Sequence, residues 1–204
     1  MRAWTTTTFA SGMCRADKTP LLVLYGSQTG NSRAMAKELG DEALAKGYDA
    51  RVLGMEKFKT LDFEEVPLLV LVTSTTGNGD APDNADGFLR YCKRRSTPSV
   101  FTKTKYAIFG LGDSNYEAFC EVPKLFDEHL LRLGGTKLLK RCDADEVEGL
   151  ESFFDPWKTD LWSALEKAGS VVPPDAEAEK LAAAAPAPAP APIAVPTGLS
   201  LIHI

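Results

Sequence analysis

Short runs of consecutive apolar residues alternate along the chain with longer stretches in which apolar residues recur every three or four positions. The continuous runs are typical of buried strands, and the three-to-four spacing is typical of amphipathic helices. The pattern predicts five strands, at Leu21–Tyr25, near Ala50–Leu53, at Leu68–Thr73, at Tyr106–Leu111 and near Lys137–Arg141. It predicts helices at about Ser32–Lys46, Ala85–Cys92, Val122–Leu133 and Leu150–Leu165, with a new helix or a kink at Asp155-Pro156.

Strands that are apolar along their whole length, each followed by a helix, favour a parallel sheet covered on both faces. Because crossovers between parallel strands are right-handed, such a chain forms a doubly wound sheet. We therefore expect an α/β domain over residues 20–168. Its five-stranded parallel sheet should have the order 2-1-3-4-5, with helices on both faces.

Two segments outside this domain differ from it in composition. Residues 1–19 are rich in hydroxyl side chains and contain two arginines. They predict an N-terminal extension, either disordered or a mitochondrial or plastid targeting peptide. Residues 169–204 contain the alanine-proline run Ala182–Pro196, which has no packing face and is typical of an extended linker or tail. We expect the chain to be truncated there.

Charge and cysteine usage exclude several classes of protein. The formal net charge of −5 disfavours a nucleic-acid binder, whose affinity depends on neutralising phosphates. The sequence holds no apolar run long enough to predict a membrane span. The four cysteines are scattered, so a zinc site or a disulfide scaffold is not expected. A reducing compartment fits better, and we expect the cytoplasm unless residues 1–19 are a targeting peptide.

The first of three informative loops lies between the first strand and its helix. It has neither the lysine of a P-loop nor the glycine spacing of a dinucleotide fingerprint. Backbone N–H groups at a helix N-terminus, together with hydroxyl side chains, bind a terminal phosphate through dipoles and hydrogen bonds. An ordinary capped turn is the alternative interpretation. The candidate phosphate ligands are Ser27, Gln28, Thr29, Gly30, Asn31 and Ser32.

Two further loops follow the third and fourth strands, at the same predicted edge of the sheet. The glycines of Ser74–Asn84 let the backbone approach a flat ligand, and Asp83 or Asn84 is a candidate cap for the next helix. In Gly110–Cys120, Tyr116 stands among polar residues. It is either a surface tyrosine or a ring that stacks on a ligand.

Together the three loops resemble the FMN domain of the diflavin reductases, over about residues 20–168. The resemblance implies a flavodoxin-like fold, with the first loop around the FMN phosphate and Tyr116 as the main stacking ring. The stretches Ser-Thr-Thr-Gly and Ala144–Trp157 most resemble methionine synthase reductase. Many members carry an aromatic residue where this chain has Thr76, so one flavin face would lack a ring. The ring-side residues implied are Thr75, Thr76, Gly77, Asn78, Gly79, Leu111, Gly112, Asp113, Tyr116, Phe119, Cys120 and Asp145.

The resemblance implies an oxidoreductase module that transfers electrons singly through FMN. No residue of the protein is assigned as a catalytic acid or base. FAD and NADPH would be bound only by a second domain of the full-length protein, so this chain alone is not expected to oxidise NADPH. The acceptor would be a protein, and the resemblance makes methionine synthase the candidate. A free-standing flavodoxin-type carrier and an interaction module without flavin are the alternatives.

Acidic residues crowd the predicted flavin edge. They disfavour extra negative charge on the ring and attract an acceptor with a basic docking face. The alternative is that they form only a solvated rim. These residues are Asp80, Asp83, Asp113, Glu117, Glu121, Asp143, Asp145, Glu146 and Glu148.

Overall fold

A computed structural model describes residues 18–169, and the expectations for residues 1–17 and 170–204 lie outside the described residues. This segment contains six strands and four helices. Two short 3₁₀ helices, which the pattern did not predict, lie between the second and third strands at Met55–Thr60 and Phe63–Glu65. The strands are β1 (Pro20–Gly26), β2 (Asp49–Gly54), β3 (Leu68–Ser74), β4 (Lys105–Gly112), β5 (Thr136–Lys137) and β6 (Cys142–Asp145). The helices are α1 (Asn31–Ala45), α2 (Asp83–Lys93), α3 (Glu121–Arg132) and α4 (Leu150–Gly169).

The strands form one parallel sheet in the order β2-β1-β3-β4-β5, which confirms the predicted topology. The register places Gly26 opposite Thr73, and Ser74 opposite Leu111. The carboxyl ends of β1, β3 and β4 therefore reach the same edge of the sheet.

The edge strand was predicted only in part. It was expected near Lys137–Arg141, but the structure splits it into β5 and β6, which pair with the two ends of β4. Lys137 and Arg141, on either side of the break, both bind the Asp127 carboxylate of α3, at 2.8 and 3.3 Å. These ion pairs hold the segment against α3, and the apolar pattern of the edge strand gives no indication of them.

Each face of the sheet has its own apolar core, because successive side chains of a strand point to opposite faces. Leu21 and Val23 of β1 pack with α1 and α4 on one face. Leu22 and Leu24 pack with α2, α3 and the 3₁₀ helices on the other. The predicted covering of both faces is therefore confirmed.

Of the two alternatives predicted at Asp155-Pro156, a new helix is wrong, because α4 runs unbroken from Leu150 to Gly169 with Pro156 inside it, and a kink stays a prediction. A proline inside a helix removes one hydrogen bond and costs about 3 kcal/mol. Phe154, Trp157 and Leu161 on the buried face of α4 offset that cost by packing on the sheet. The Asp155 carboxylate pairs with Lys158, at 3.7 Å, instead of capping a helix.

No helix within residues 18–169 is long and apolar enough to cross a membrane. The same segment contains no group of three or more histidine, cysteine or acidic residues that could hold a metal ion. Cys92, Cys120 and Cys142 are free thiols.

Lys158 fastens α4 to α1. Its ammonium group lies 2.7 Å from the Glu42 carboxylate and also contacts Glu38, while its side chain is only 15% exposed. Trp162 donates a 2.8 Å hydrogen bond to the same Glu42. Burial acts to raise the pKa of Glu42, but the hydrogen bonds from Lys158 and Trp162 outweigh it, so the pKa is lowered.

We expect Lys158→Met to lower the free energy of unfolding at pH 7 by about 1–2 kcal/mol, after allowance for solvent screening. Methionine retains the apolar stem but leaves Glu38 and Glu42 without their cation. Because the folded-state pKa of Glu42 is lowered, the difference from wild type should be present above its usual pKa of 4.5 and shrink as the pH falls below it.

Urea unfolding at pH 7 and pH 3.5 measures this difference. Lys37→Met, on the exposed side of α1, is the matched control and should leave stability within ±0.5 kcal/mol of wild type. An equal loss in Lys158→Met at both pH values would show that the ion pairs are not its cause.

Candidate functional site

The first loop ends at an uncapped helix N-terminus. Gly30, the N-cap of α1, has a left-handed backbone with φ of 108°, and no side chain caps the helix there. The first-turn N–H groups of a helix have no acceptor within the helix. The first turn carries no acidic residue that would repel an anion. Thr29 and Asn31 are exposed beside these N–H groups.

The hydroxyl of Ser32 is buried without a partner. Ser32 is 1% exposed, and its Oγ makes no hydrogen bond to any residue in the described segment. An unsatisfied buried polar group costs about 1–3 kcal/mol. The one other such side-chain atom among residues 18–169 is Trp157 Nε1 of α4, so these orphaned groups are rare in this fold. An oxygen-rich ligand at the N-terminus of α1 would satisfy the hydroxyl and the free N–H groups together.

The second loop, Ser74–Asn84, is closed on itself. Thr76 donates both its backbone N–H and its hydroxyl to the Asp80 carbonyl, at 2.8 and 3.0 Å. Gly77 and Gly79 have positive φ of 51° and 103° in this turn. Thr75 accepts a 3.1 Å hydrogen bond on its hydroxyl from the N–H of Val122 in α3. The predicted hydroxyls of Thr75 and Thr76 are therefore engaged within the protein, and Asn78 is exposed at the tip.

The third loop holds Tyr116 out toward solvent. Asp113 makes the turn, since its carboxylate accepts from the N–H of Asn115 at 2.8 Å and its carbonyl accepts from the N–H of Tyr116 at 3.1 Å. The Tyr116 side chain is 56% exposed. A Cβ on Gly79 would lie 2.9 Å from the Cβ of Ala118, so the second and third loops touch.

Cys120 and its neighbours support the third loop from inside. Cys120 is buried in a left-handed conformation, with φ of 51°, and burial raises the pKa of its thiol to about 12. A Cβ on Gly112 would lie 2.8 Å from its sulfur and 3.0 Å from the Phe119 ring. Leu111 is also buried. Among the predicted ring-side residues, Leu111 and Cys120 thus lie beneath the loop surface.

Asp145 fixes the third loop to β6. Its Oδ1 accepts hydrogen bonds from the backbone N–H of Ser114 and of Val147, both at 3.1 Å. A side-chain hydrogen bond with Ser114, helped by these two backbone hydrogen bonds, outweighs burial and lowers the pKa of Asp145. Asp145 therefore lies at the predicted site, but its carboxylate is used to hold two loops.

About half of the acidic residues at this edge are engaged by neighbours. Arg141 donates two hydrogen bonds to the Asp143 carboxylate, at 2.7 and 2.8 Å, and Lys124 forms an ion pair with Glu121 at 3.3 Å. The exposed carboxylates of Glu117, Glu146 and Glu148 form no ion pair within residues 18–169. Exposed negative charge thus lies beside Tyr116 and the exposed Val147, and also at Asp80 of the second loop.

Asn84 was interpreted only as a helix cap, and that interpretation is wrong. It lies within the first turn of α2, whose N-cap is Pro82. Its side-chain amide instead binds the first loop, accepting from the N–H of Ser27 at 2.9 Å and donating to the Tyr25 carbonyl at 3.0 Å. Asp83 is the first helical residue, and its N–H is capped by Gln28 of the first loop, at 3.2 Å. No local sequence pattern marks either contact.

The sheet order and the three loops at one edge define the flavodoxin-like class of α/β proteins. The chain belongs to the flavodoxin family, whose model matches residues 23–157. This match confirms the predicted family and the predicted cofactor, because the flavodoxin domain binds FMN.

The chain is similar to longer proteins of two kinds. It is 41% identical over 148 residues to NADPH-dependent diflavin oxidoreductase 1 of Bos taurus, an overlap of 71% of this chain and 25% of the relative. It is 38% identical over 148 residues to methionine synthase reductase of the same organism, an overlap of 72% of this chain and 21% of the relative. The chain thus spans about a quarter of the length of these curated relatives, or less.

Solved flavodoxins share the fold. A short-chain flavodoxin associated with a non-canonical PDU bacterial microcompartment superposes with a TM-score of 0.61 at 19% identity, covering 74% of this chain and 99% of its own. The flavodoxin of Streptococcus pneumonia TIGR4 gives 0.60 at 22% identity, covering 73% and 99%.

We expect Asp145→Ala to detach the third loop from β6, because the N–H groups of Ser114 and Val147 lose their shared acceptor. Hydrogen exchange at these two N–H groups, followed by NMR, should become at least severalfold faster. In wild type, the two N–H groups should stay protected from exchange above the usual carboxyl pKa of 3.8, where Asp145 is ionised. Because the pKa of Asp145 is lowered, this protection should be lost only as the pH falls below that value. Glu148→Ala, an exposed acid nearby, should change neither exchange rate. Unchanged exchange in Asp145→Ala would contradict the anchoring role.

Proposed function

We propose that this chain is the FMN-binding electron-transfer module of an NADPH-dependent diflavin oxidoreductase. The observation that carries the proposal is the buried, unpartnered Ser32 hydroxyl at the uncapped N-terminus of α1. In the longer protein, an FAD/NADPH domain like that of the relatives would supply the electrons. An acceptor protein would receive them one at a time.

The first loop would hold the FMN phosphate without a cation. The hydroxyls of Ser27, Thr29 and Ser32, with Asn31 and the first-turn N–H groups of α1, offer donors to one terminal phosphate. Gln28 and Gly30 shape the loop, since Gln28 binds Asp83 and Gly30 supplies the left-handed turn. Binding through dipoles and hydrogen bonds suits a phosphate, while riboflavin, which has none, would gain nothing from this loop.

The second and third loops would hold the flavin ring between them. Tyr116 would stack on one face, with Gly112, Asp113 and Phe119 shaping that side. The segment 75–79 would line the other face, where no aromatic residue of Ser74–Asn84 is available to cover the ring. Leu111, Cys120 and Asp145 would keep this geometry fixed from below.

FMN supplies the one-electron chemistry when it is bound, and the protein supplies position and electrostatics. The exposed acids Glu117, Glu146 and Glu148 would steer a partner that carries a basic face, and Tyr116 and Val147 offer apolar contact beside them. Methionine synthase is the proposed acceptor, because methionine synthase reductases are among the relatives. The free thiols of the described segment favour a reducing compartment such as the cytoplasm.

We expect the purified protein to bind about one FMN, and Ser32→Ala to weaken that binding while sparing riboflavin. A lost hydrogen bond to a charged group is worth about 1.5–3 kcal/mol, or roughly 10- to 150-fold in the FMN dissociation constant. Without flavin, the same variant should be at least as stable as wild type, because the buried hydroxyl had no partner.

Flavin fluorescence titration and thermal unfolding measure these two effects. Ser163→Ala removes an exposed hydroxyl on α4 that binds the Thr159 carbonyl, and it should leave both flavin affinities unchanged. Equal weakening of FMN and riboflavin in Ser32→Ala would refute the phosphate assignment. A wild-type protein that binds no FMN would refute the function.

We expect Tyr116→Ala to lose about 1–3 kcal/mol of FMN affinity and to brighten the fluorescence of the bound flavin, because the stacked ring contributes burial and quenching. Tyr116→Phe retains the ring and should stay close to wild type in affinity. If Tyr116→Ala leaves both affinity and fluorescence unchanged, Tyr116 is a surface residue and does not stack.

A further inference from the structure

The amide of Asn84 joins the start of α2 to the first loop. Its Oδ1 accepts from the N–H of Ser27 at 2.9 Å, and its Nδ2 donates to the Tyr25 carbonyl at 3.0 Å. These contacts link residues 57 and 59 positions apart in sequence. We propose that Asn84 is a positioning residue that sets the geometry of the phosphate loop. This inference rests on the proposed function.

The contacts require an amide at this position. One end of the side chain faces a backbone donor and the other faces a backbone acceptor, so a group that both accepts and donates is needed. The Nδ2 also lies 3.5 Å from the Glu56 carboxylate. An ionised carboxyl in place of the amide would set one oxygen against the Tyr25 carbonyl and against Glu56, with no hydrogen to donate.

A second side chain ties the same two elements in the opposite direction. Gln28 of the first loop accepts from the N–H of Asp83 at 3.2 Å and donates to the Asp83 carboxylate at 3.4 Å. Because Pro82 gives α2 no side-chain cap of its own, Gln28 satisfies a donor that would otherwise be free. The first loop and the first turn of α2 are therefore mutually dependent.

These ties determine where the phosphate donors point. With its N–H held by Asn84, Ser27 turns its hydroxyl to accept from the N–H of Gly30 at 3.0 Å. That bond closes the loop just before the left-handed Gly30, which leads into the first turn of α1 and the buried Ser32. Without the Asn84 amide, the N–H of Ser27 loses its acceptor and the first loop becomes more mobile. A more mobile loop should bind phosphate less well, because its donors are no longer preorganised.

The first test compares FMN with riboflavin in Asn84→Ala. The two lost hydrogen bonds should raise the FMN dissociation constant roughly tenfold or more, while that of riboflavin, which lacks the phosphate, should change less than about threefold. Asp86→Ala is the matched control, since Asp86 is in the first turn of the same helix and its carboxylate pairs with Arg90 one turn further along. It should leave both dissociation constants near wild type.

The second test uses Asn84→Asp. At pH 8 the ionised carboxyl should weaken FMN at least as much as alanine does. A protonated carboxyl can both accept and donate, as the amide does, so FMN affinity relative to wild type should recover as the pH falls to about 4, near the ordinary aspartate pKa of about 3.9. Glu56 and Asp83 face this position, and the same groove is lined by the titratable or charged side chains of Lys59, Arg90, Tyr91 and Arg94. The wild-type titration at each pH corrects for these groups and for the phosphate itself.

The outcomes separate the inference from the function. Selective loss of FMN in Asn84→Ala, together with acid recovery in Asn84→Asp, supports the positioning role. Equal effects on FMN and riboflavin, or none, overturn it, and a fall in thermal stability without selectivity shows a merely structural contact. A wild-type protein that binds neither flavin overturns the proposed function and this inference with it.

Discussion

The hydrogen bonding of β3 to β1 on one side and to β4 on the other is the interaction on which the site depends. Because the three strands are parallel and in register, their carboxyl ends meet at one edge of the sheet. Gly26 permits the tight exit from β1, since a Cβ there would lie 2.7 Å from the Cβ of Ala85 and would also strike Thr73. The three loops therefore come together because the buried strands pair. The loop sequences themselves need not favour contact between the loops.

Once together, the loops are held by single side chains and not by regular structure. Thr75 binds the start of α3, Asp145 binds two backbone N–H groups, and Asn84 binds the first loop. These bonds fix the turns and so preorganise them. The buried Ser32 hydroxyl has no such partner, and it lies with the first-turn N–H groups of α1 where a phosphate would satisfy them.

The apolar pattern was sufficient for the sheet and for α1, expected at about Ser32–Lys46 and found at Asn31–Ala45. It failed at the edge strand because the segment between Lys137 and Arg141 leaves the sheet, and both of these side chains pair with Asp127 of α3. The continuity of α4 through Pro156 depends on packing that no local signal shows. The loops were located correctly, but whether a side chain faces a ligand or a neighbouring loop, as for Asn84 and Asp145, depends on contacts across the fold.

Whether the N-terminus of α1 holds the phosphate of FMN is tested most directly by NMR titration of the backbone amides with FMN and, separately, with riboflavin. The amides of residues 29–33 should shift with FMN and stay in place with riboflavin, because only FMN carries the phosphate. The amides of residues 114–117, around Tyr116, should shift with both flavins. Amides of residues 29–33 that respond equally to the two flavins, or to neither, would contradict a phosphate site at this helix.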